Sequence, residues 1–125
     1  MSYEVSRTVD EEKTQEIKIG TWNVRTMNVK GKLENVKQEM KRYNLNVLGI
    51  SEVRWTEEGD FESDGYRIIY SGGKERQRGV AIILDRDTAK RVIEVKMCGD
   101  RMMMVKLNGD VVNMFETGVH ANDWS

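Results

Sequence analysis

The sequence predicts a mixed α/β (α+β) domain in which one mixed β-sheet is covered by a helix. Three patterns indicate this class: a strand–helix–strand succession over residues 17–52, a segment that is apolar throughout at residues 79–84, and a series of short strands after it. A strand–helix–strand unit joins parallel strands, whereas closely spaced strands with tight turns are antiparallel. Together the patterns predict a sheet that contains both kinds of pairing.

The first strand and the helix follow from their hydrophobic periods. Ile17, Ile19 and Thr21 alternate with polar or small residues, as in a strand with one buried face. Over residues 31–44 the apolar positions recur at helical spacing, at Leu33, Val36, Met40 and Tyr43. Asn44 is expected to end the helix, because asparagine tolerates the left-handed backbone conformation.

A short apolar run at residues 46–52 comes directly after the helix and predicts a buried strand. Its connection to the first strand through a helix predicts parallel pairing with a right-handed crossover. Asn108 and Gly109 indicate a hairpin turn late in the chain. Further strands are predicted at residues 66–70, 79–84, 92–95, 102–107 and 111–114.

Both ends of the chain lack a helical or strand period. Residues 1–16 are polar with an acidic cluster, which predicts a flexible N-terminal arm. Residues 115–125 show no period either, and we interpret them as a divergent C-terminal tail. The body of the domain is therefore expected at residues 17–114.

Composition restricts the class of protein. The 125 residues are 38% hydrophobic and 33% charged, a balance typical of a globular protein rather than a disordered or membrane one. The formal net charge of -1 provides no overall positive field, so contact with nucleic acid would need a local basic patch. Cys98 is the only cysteine, which excludes an internal disulfide and indicates an intracellular protein, nuclear or cytoplasmic and not secreted.

Two short polar segments follow strands of the strand–helix–strand unit. Asn23 ends the first strand and Glu52 ends the second. Ligand sites of open α/β sheets gather at the carboxyl ends of parallel strands, so we expect the two side chains at one edge. A carboxylate and a carboxamide suit a hard cation such as Mg²⁺, which prefers oxygen ligands and keeps several waters.

The segments Thr-Trp-Asn-Val at residues 21–24 and Ser-Glu-Val at residues 51–53, with a helix between them, resemble the opening of exonuclease-endonuclease-phosphatase domains. The strand that begins Arg78-Gly79 resembles the same superfamily. Within this superfamily, the amino-acid sequence of these segments is most similar to endonuclease domains of non-LTR retrotransposons and to the craniofacial development protein 2-like sequences derived from them. The resemblance covers residues 17–113 and depends on the order and spacing of the motifs together.

The resemblance implies an αββα sandwich that hydrolyses phosphodiester bonds of DNA with Mg²⁺ or Mn²⁺. Carried over by position, Glu52 is the metal-binding carboxylate, and Asn23 helps to hold the metal and the phosphate. The superfamily's remaining machinery is a tyrosine near a Tyr-x-Pro segment, an Asp-x-Asn pair and a closing Ser-Asp-His. None of these motifs occurs in this sequence, which departs from the superfamily's pattern after Asn113.

We therefore expect a partial αββα sandwich in which the second half of the domain is absent, with weak or no metal binding and no activity of the chain alone. His120 is the only histidine, and the acidic residues nearest to it in sequence lie in a segment that has no helical or strand period. A catalytic histidine needs such an orienting partner, so we do not expect His120 to be catalytic.

Plainer roles are open for each residue with a chemical interpretation. Glu52 can be a solvated carboxylate, and Asn23 can be a turn residue that bonds its own backbone. Trp22 and Trp55 can stack on bases, although packing is the commoner use of tryptophan near a strand end. A basic stretch at residues 74–78 can touch phosphates or form a solvated loop.

Two classes of function follow. In the first, the chain is a fragment of a DNA-cleaving phosphodiesterase. In the second, it is an interaction module that self-associates or binds a partner through an exposed sheet face. We expect that face to include the strand at residues 80–84, since half of a two-sheet sandwich leaves its inner apolar face uncovered. Met102 and Met104 are expected on one face of their strand and Met103 on the other, as core filling.

Overall fold

A computed structural model describes residues 2–9, 16–23, 30–53, 58–71, 79–97, 102–115 and 118–123. Ten strands and two helices are formed by these residues, and the strands make two β-sheets. The mixed α/β class is thus confirmed. In chain order the elements are β1 Ser2–Val9, β2 Glu16–Asn23, α1 Lys30–Arg42, β3 Val47–Val53, β4 Glu58–Ser63, β5 Tyr66–Ser71, β6 Gly79–Leu84, α2 Arg86–Ala89, β7 Val92–Met97, β8 Met102–Leu107, β9 Asp110–Phe115 and β10 Gly118–Asp123.

The larger sheet has the strand order β1-β2-β3-β6-β5-β4. β2 and β3 are parallel, with Ile19 opposite Val47, and every other neighbouring pair of this sheet is antiparallel. The helix α1 connects the two parallel strands, so the predicted βαβ unit is confirmed. Asn44 has a φ of 54°, and the helix ends just before it, as predicted.

The smaller sheet is an antiparallel meander with the order β10-β9-β8-β7. Its β8–β9 hairpin turns through Gly109, whose φ of 99° requires glycine, as the Asn-Gly pair predicts. Met103 is fully buried while Met102 and Met104 are partly exposed, so the predicted alternation is confirmed, whereas core filling is confirmed for Met103 alone. The meander forms a second sheet in addition to the one mixed sheet that the sequence predicts.

Two hydrophobic cores share the central strand β6. Ala81 and Ile83 pack on the side of α1, in the core that holds Val36 and Met40. The alternate residues of β6 pack on the other side of the sheet, against β8 and β9. All six residues of β6 are buried, which confirms the prediction of a strand covered on both faces.

The expectation that the face of residues 80–84 meets water is wrong. Val80, Ile82 and Leu84 are 0% exposed and pack in one core with Met103 and Val105 of the smaller sheet. The reason is that the meander folds back over the larger sheet, so the inner face finds its cover within these 125 residues. The face of β6 is therefore not available as an exposed interaction surface.

Both ends of the chain differ from the predicted arm and tail. β1 pairs with β2 over eight residues, and β10 pairs with β9 over six. Each lies at the edge of its sheet. An edge strand gains its backbone hydrogen bonds from one neighbour, and it needs no buried alternating face that a hydrophobic period could indicate.

Two further elements have no hydrophobic signal in the sequence. β4 is an edge strand whose residues are mostly exposed, and it pairs with β5 through a turn at Asp64 and Gly65, both with positive φ. α2 has only four residues. It begins after Asp85, whose Oδ1 accepts a hydrogen bond from the backbone N–H of Thr88 at 2.9 Å.

Lys37 is a buried charge on α1, although its neighbours in sequence suggest a solvated face. Its side chain is 4% exposed, and its Nζ donates hydrogen bonds to Asp64 Oδ2 at 2.6 Å and to Ser63 Oγ at 2.9 Å. A third contact joins Nζ to Glu34 Oε1 at 2.7 Å. The side chain therefore fastens the helix to the β4–β5 turn.

The pKa of Lys37 reflects opposing influences. Burial is the largest and lowers it, but hydrogen bonds to Asp64 and Glu34, together with the charges of these carboxylates, raise the pKa above its ordinary value. The same hydrogen bond and charge from Lys37 lower the pKa of Asp64. The ionised pair therefore stabilises the folded state.

Replacing the buried lysine tests this contact. We expect Lys37→Ala to lower the free energy of unfolding by about 2–3 kcal/mol, because it removes both a buried aliphatic stem and hydrogen bonds to charged groups. Arg42→Ala is the matched control, since Arg42 is on the same helix but 71% exposed, with an ion pair to Glu39 at 4.0 Å. Its effect should stay within about 0.5 kcal/mol. Equal effects in urea denaturation would contradict the fastening role.

The same pair predicts a pH dependence. Because the folded pKa of Asp64 is below its unfolded value of 3.8, its stabilisation is present above that pH and is lost as pH falls through the folded pKa. Because the folded pKa of Lys37 is above 10.5, its stabilisation is present below that pH and is lost as pH rises through the folded pKa. We expect the stability difference between wild type and Asp64→Asn to be largest near neutral pH and to shrink at both extremes. A difference independent of pH in denaturant titrations would exclude the ion pair as its cause.

Candidate metal centre

The carboxyl ends of β2 and β3 lie side by side at one edge of the larger sheet. In their parallel ladder Asn23 is opposite Ser51, the residue before Glu52. The backbone thus brings the two positions that the sequence singles out onto neighbouring strands. This is the placement expected from the rule that ligand sites gather at the carboxyl ends of parallel strands.

The ladder between β3 and β6 is irregular at Glu52. Ser51 pairs with Val80 and Val53 pairs with Gly79, so two steps along β3 match one step along β6. In the described ladder Glu52 is the extra residue of this irregularity. A bulge of this kind bends its strand and changes the direction of local side chains, and bulges are frequent beside functional sites.

The strands β5 and β6 also reach this edge. β5 ends there at Ser71 and β6 begins there at Gly79, because these strands run antiparallel to one another. Trp55 and the basic stretch at residues 74–78 lie outside the described residues. The described side chains likewise do not include those of Trp22, Asn23 and Glu52, so the structure gives their backbone positions alone.

The donor set fits a hard cation in type. A carboxylate and a carboxamide supply oxygen ligands, and Mg²⁺ ordinarily takes one or two carboxylates from protein and completes its shell with water and substrate phosphate. Within the described part of the chain, no group of three or more histidine, cysteine, aspartate or glutamate side chains is arranged to hold a metal ion.

His120 lies in β10, where it is opposite Asn113 of β9. β10 also contacts β2 and β3 of the larger sheet. The strand therefore has a regular place in the fold, unlike the structureless tail that the sequence suggests. Its side chain is outside the described ones, and the expectation that His120 is not catalytic stays a prediction.

Sequence comparison relates the chain to two curated proteins over most of its length. It is 44% identical over 108 residues to craniofacial development protein 2 of Bos taurus, a match that covers 86% of this chain. It is also 44% identical over 101 residues to craniofacial development protein 2 of Tragulus javanicus, covering 80% of this chain. The matched segment is homologous to craniofacial development protein 2.

The homology concerns a small part of those proteins. The aligned segment is 18% of the length of the Bos taurus protein and 17% of that from Tragulus javanicus, so the chain spans less than a fifth of the curated relatives that it matches. No protein-family model matches the chain. None of the described helices is long and apolar enough to cross a membrane.

Paramagnetic broadening tests the metal position without requiring activity. We expect Mn²⁺ to broaden backbone amide signals of residues at the carboxyl ends of β2 and β3 in NMR spectra, weakly and at high metal concentration, because few protein ligands are present. Glu52→Gln should reduce this broadening. Glu62→Gln, which removes an exposed carboxylate on the edge strand β4, should not. The same broadening in wild type and Glu52→Gln would remove Glu52 from the site.

Proposed function

We propose that this chain is the amino-terminal segment of a magnesium-dependent phosphodiesterase domain of the exonuclease-endonuclease-phosphatase type, DNA endonuclease-like, and that it does not cleave DNA alone. One observation carries the proposal: the parallel register of β2 and β3 brings Asn23 and Glu52 to the same sheet edge. The irregularity of the ladder at Glu52 supports it. The resemblance of the segments around these residues to the superfamily's opening motifs gives the reaction class.

In this proposal Glu52 would hold Mg²⁺ or Mn²⁺ through its carboxylate, and Asn23 would help to hold the cation and the phosphate through its carboxamide. The cation, when bound, polarises the phosphoryl group and offsets the charge that develops on it. Both residues thus bind and position. Neither has the role of removing a proton from the attacking water.

Absence of that second role is the reason to propose inactivity. Phosphodiester hydrolysis needs an oriented, activated water and a stabilised leaving group, and general acid–base groups contribute roughly 10²–10⁴-fold to such reactions. The sequence has no Tyr-x-Pro, Asp-x-Asn or Ser-Asp-His segment to supply these groups. A position for the cation without them is insufficient for turnover.

A second candidate is an interaction module, and the smaller sheet favours it. Its outer face carries the partly exposed side chains of Met102, Met104, Val111 and Phe115. Met102 is opposite Phe115 in the β8–β9 ladder, so these apolar groups adjoin. Partly exposed apolar groups on one face are a feature of surfaces that self-associate or bind a partner. In this second candidate, the outer face of the smaller sheet is the interaction surface, because the face of β6 that the sequence suggests for this role is buried.

A nicking assay on supercoiled plasmid DNA with Mg²⁺ tests the proposal. We compare the purified chain with Glu52→Gln, which keeps the size of the side chain and removes its charge. We expect no nicking that depends on Glu52, and an intact nuclease in parallel reactions confirms that the assay detects cleavage. Nicking by the wild type that disappears in Glu52→Gln would overturn the proposed inactivity and establish the chain as an enzyme.

A further inference from the structure

A polar cleft of about 430 Å³ lies at the edge of the larger sheet opposite Asn23 and Glu52. Leu84 at the end of β6 is opposite Val47 at the start of β3, so the residues that follow β6 are at the far end of β3 from Glu52. The cleft is formed where α1, the β4–β5 turn and the start of α2 meet. It is lined by Lys41, Asp64, Tyr66, Asp85, Arg86 and Asp87.

Tyr66, whose residue as a whole is largely buried, lines this cleft. The residue is 8% exposed, and within the described part of the chain its hydroxyl has no hydrogen-bond partner. Polar groups of buried residues are ordinarily hydrogen-bonded to protein or to water, so this hydroxyl is a donor that a ligand in the cleft can use. Burial and then the charge of Asp85 raise the pKa of Tyr66, so the phenol keeps its proton and can donate it in a hydrogen bond.

Two cations that have no ion pair among the described residues line the same cleft. Lys41 is exposed near the end of α1, and Arg86 opens α2; neither makes an ion pair or a hydrogen bond with the side chains that the structure describes. The guanidinium of Arg86 lies against Gly65, where an added Cβ would come within 2.5 Å of Nε and 2.7 Å of Nη2. Because Gly65 has no side chain, the guanidinium can rest on the turn at the cleft wall.

Two of the three carboxylates in the cleft are already engaged. Asp64 accepts a hydrogen bond from Lys37. Asp85 accepts one from Thr88 N–H on Oδ1 and one from Asn46 Nδ2 on Oδ2, each at 2.9 Å. The donors to Asp85 are neutral, so Asp85 keeps its negative charge, whereas the charge of Asp64 is offset by Lys37. The groups left to meet a ligand are therefore two cations and a hydroxyl donor, against the charges of Asp85 and Asp87.

We propose that this cleft binds the phosphoryl group of a small phosphorylated molecule through Arg86, Lys41 and the hydroxyl of Tyr66. A guanidinium matches two phosphate oxygens with parallel N–H donors, an ammonium adds a point charge, and the phenol supplies a further donor. The volume is within the ordinary range for small-molecule sites and exceeds that of phosphate alone, which leaves room for the rest of the ligand. The site is separate from the proposed metal centre and does not depend on it.

Calorimetric titration with inorganic phosphate tests the proposal on the full chain. We expect saturable binding in the wild type, a loss of about tenfold in affinity for Arg86→Gln and roughly fivefold for Tyr66→Phe, as expected for one charge-assisted and one neutral hydrogen bond. Tyr66→Phe keeps the ring and removes an unpartnered group, so it should fold as the wild type does. Asp87→Asn should increase the affinity, because it removes one of the two opposing negative charges.

Arg42→Gln is the matched control, since it removes one positive charge from α1 next to Lys41 but outside the cleft. It should leave phosphate binding within about twofold of the wild type, as a surface charge at that distance is screened. The proposal fails if phosphate does not bind saturably, if Arg42→Gln weakens binding as much as Arg86→Gln does, or if Tyr66→Phe binds as the wild type does. Glu52→Gln should bind phosphate normally, which separates this outcome from that of the nicking assay.

Discussion

Complete burial of β6 on both faces is the constraint on which the rest of the structure depends. A strand of six buried residues needs α1 on one side and the smaller sheet on the other, so it fixes the order of the layers. Its neighbours β3 and β5 are then positioned from the centre outward. Asn46 reinforces the assembly at one edge, because its side chain accepts a hydrogen bond from Lys18 N–H and donates one to Asp85, joining β2, β3 and the end of β6. These hydrogen bonds lie at the start of β3, the end opposite Glu52.

The sequence predicts the elements whose residues alternate between the interior and the solvent, or between two cores. Ile17 and Ile19 of β2, the apolar face of α1 and all of β6 are examples, and burial in the structure agrees with each. Edge strands such as β1, β4 and β10 are different, because backbone hydrogen bonds to one neighbour suffice to form them. The burial of Lys37 also has no local signal, since its partner Asp64 is 27 residues further along the chain.

The two candidate sites differ in the same way. Asn23 and Glu52 each end a recognisable strand, so the general rule for parallel strands was enough to predict that their positions adjoin. The cleft combines Lys41, Tyr66 and Arg86 from three segments whose meeting depends on the β4–β5 turn and on a four-residue helix. Neither of those elements has a hydrophobic period, so the sequence carries no local signal that these three residues meet.

The positions of the two sites at opposite ends of β3 have an electrostatic consequence. Seven extended residues separate their edges by roughly 20 Å, which is about twice the Debye length at 0.1 M ionic strength. A cation at one end and an anion at the other would scarcely sense each other through solvent. Mutations that remove cation binding at the carboxyl end of β3 should therefore leave the ligand preference of the cleft at its other end unchanged.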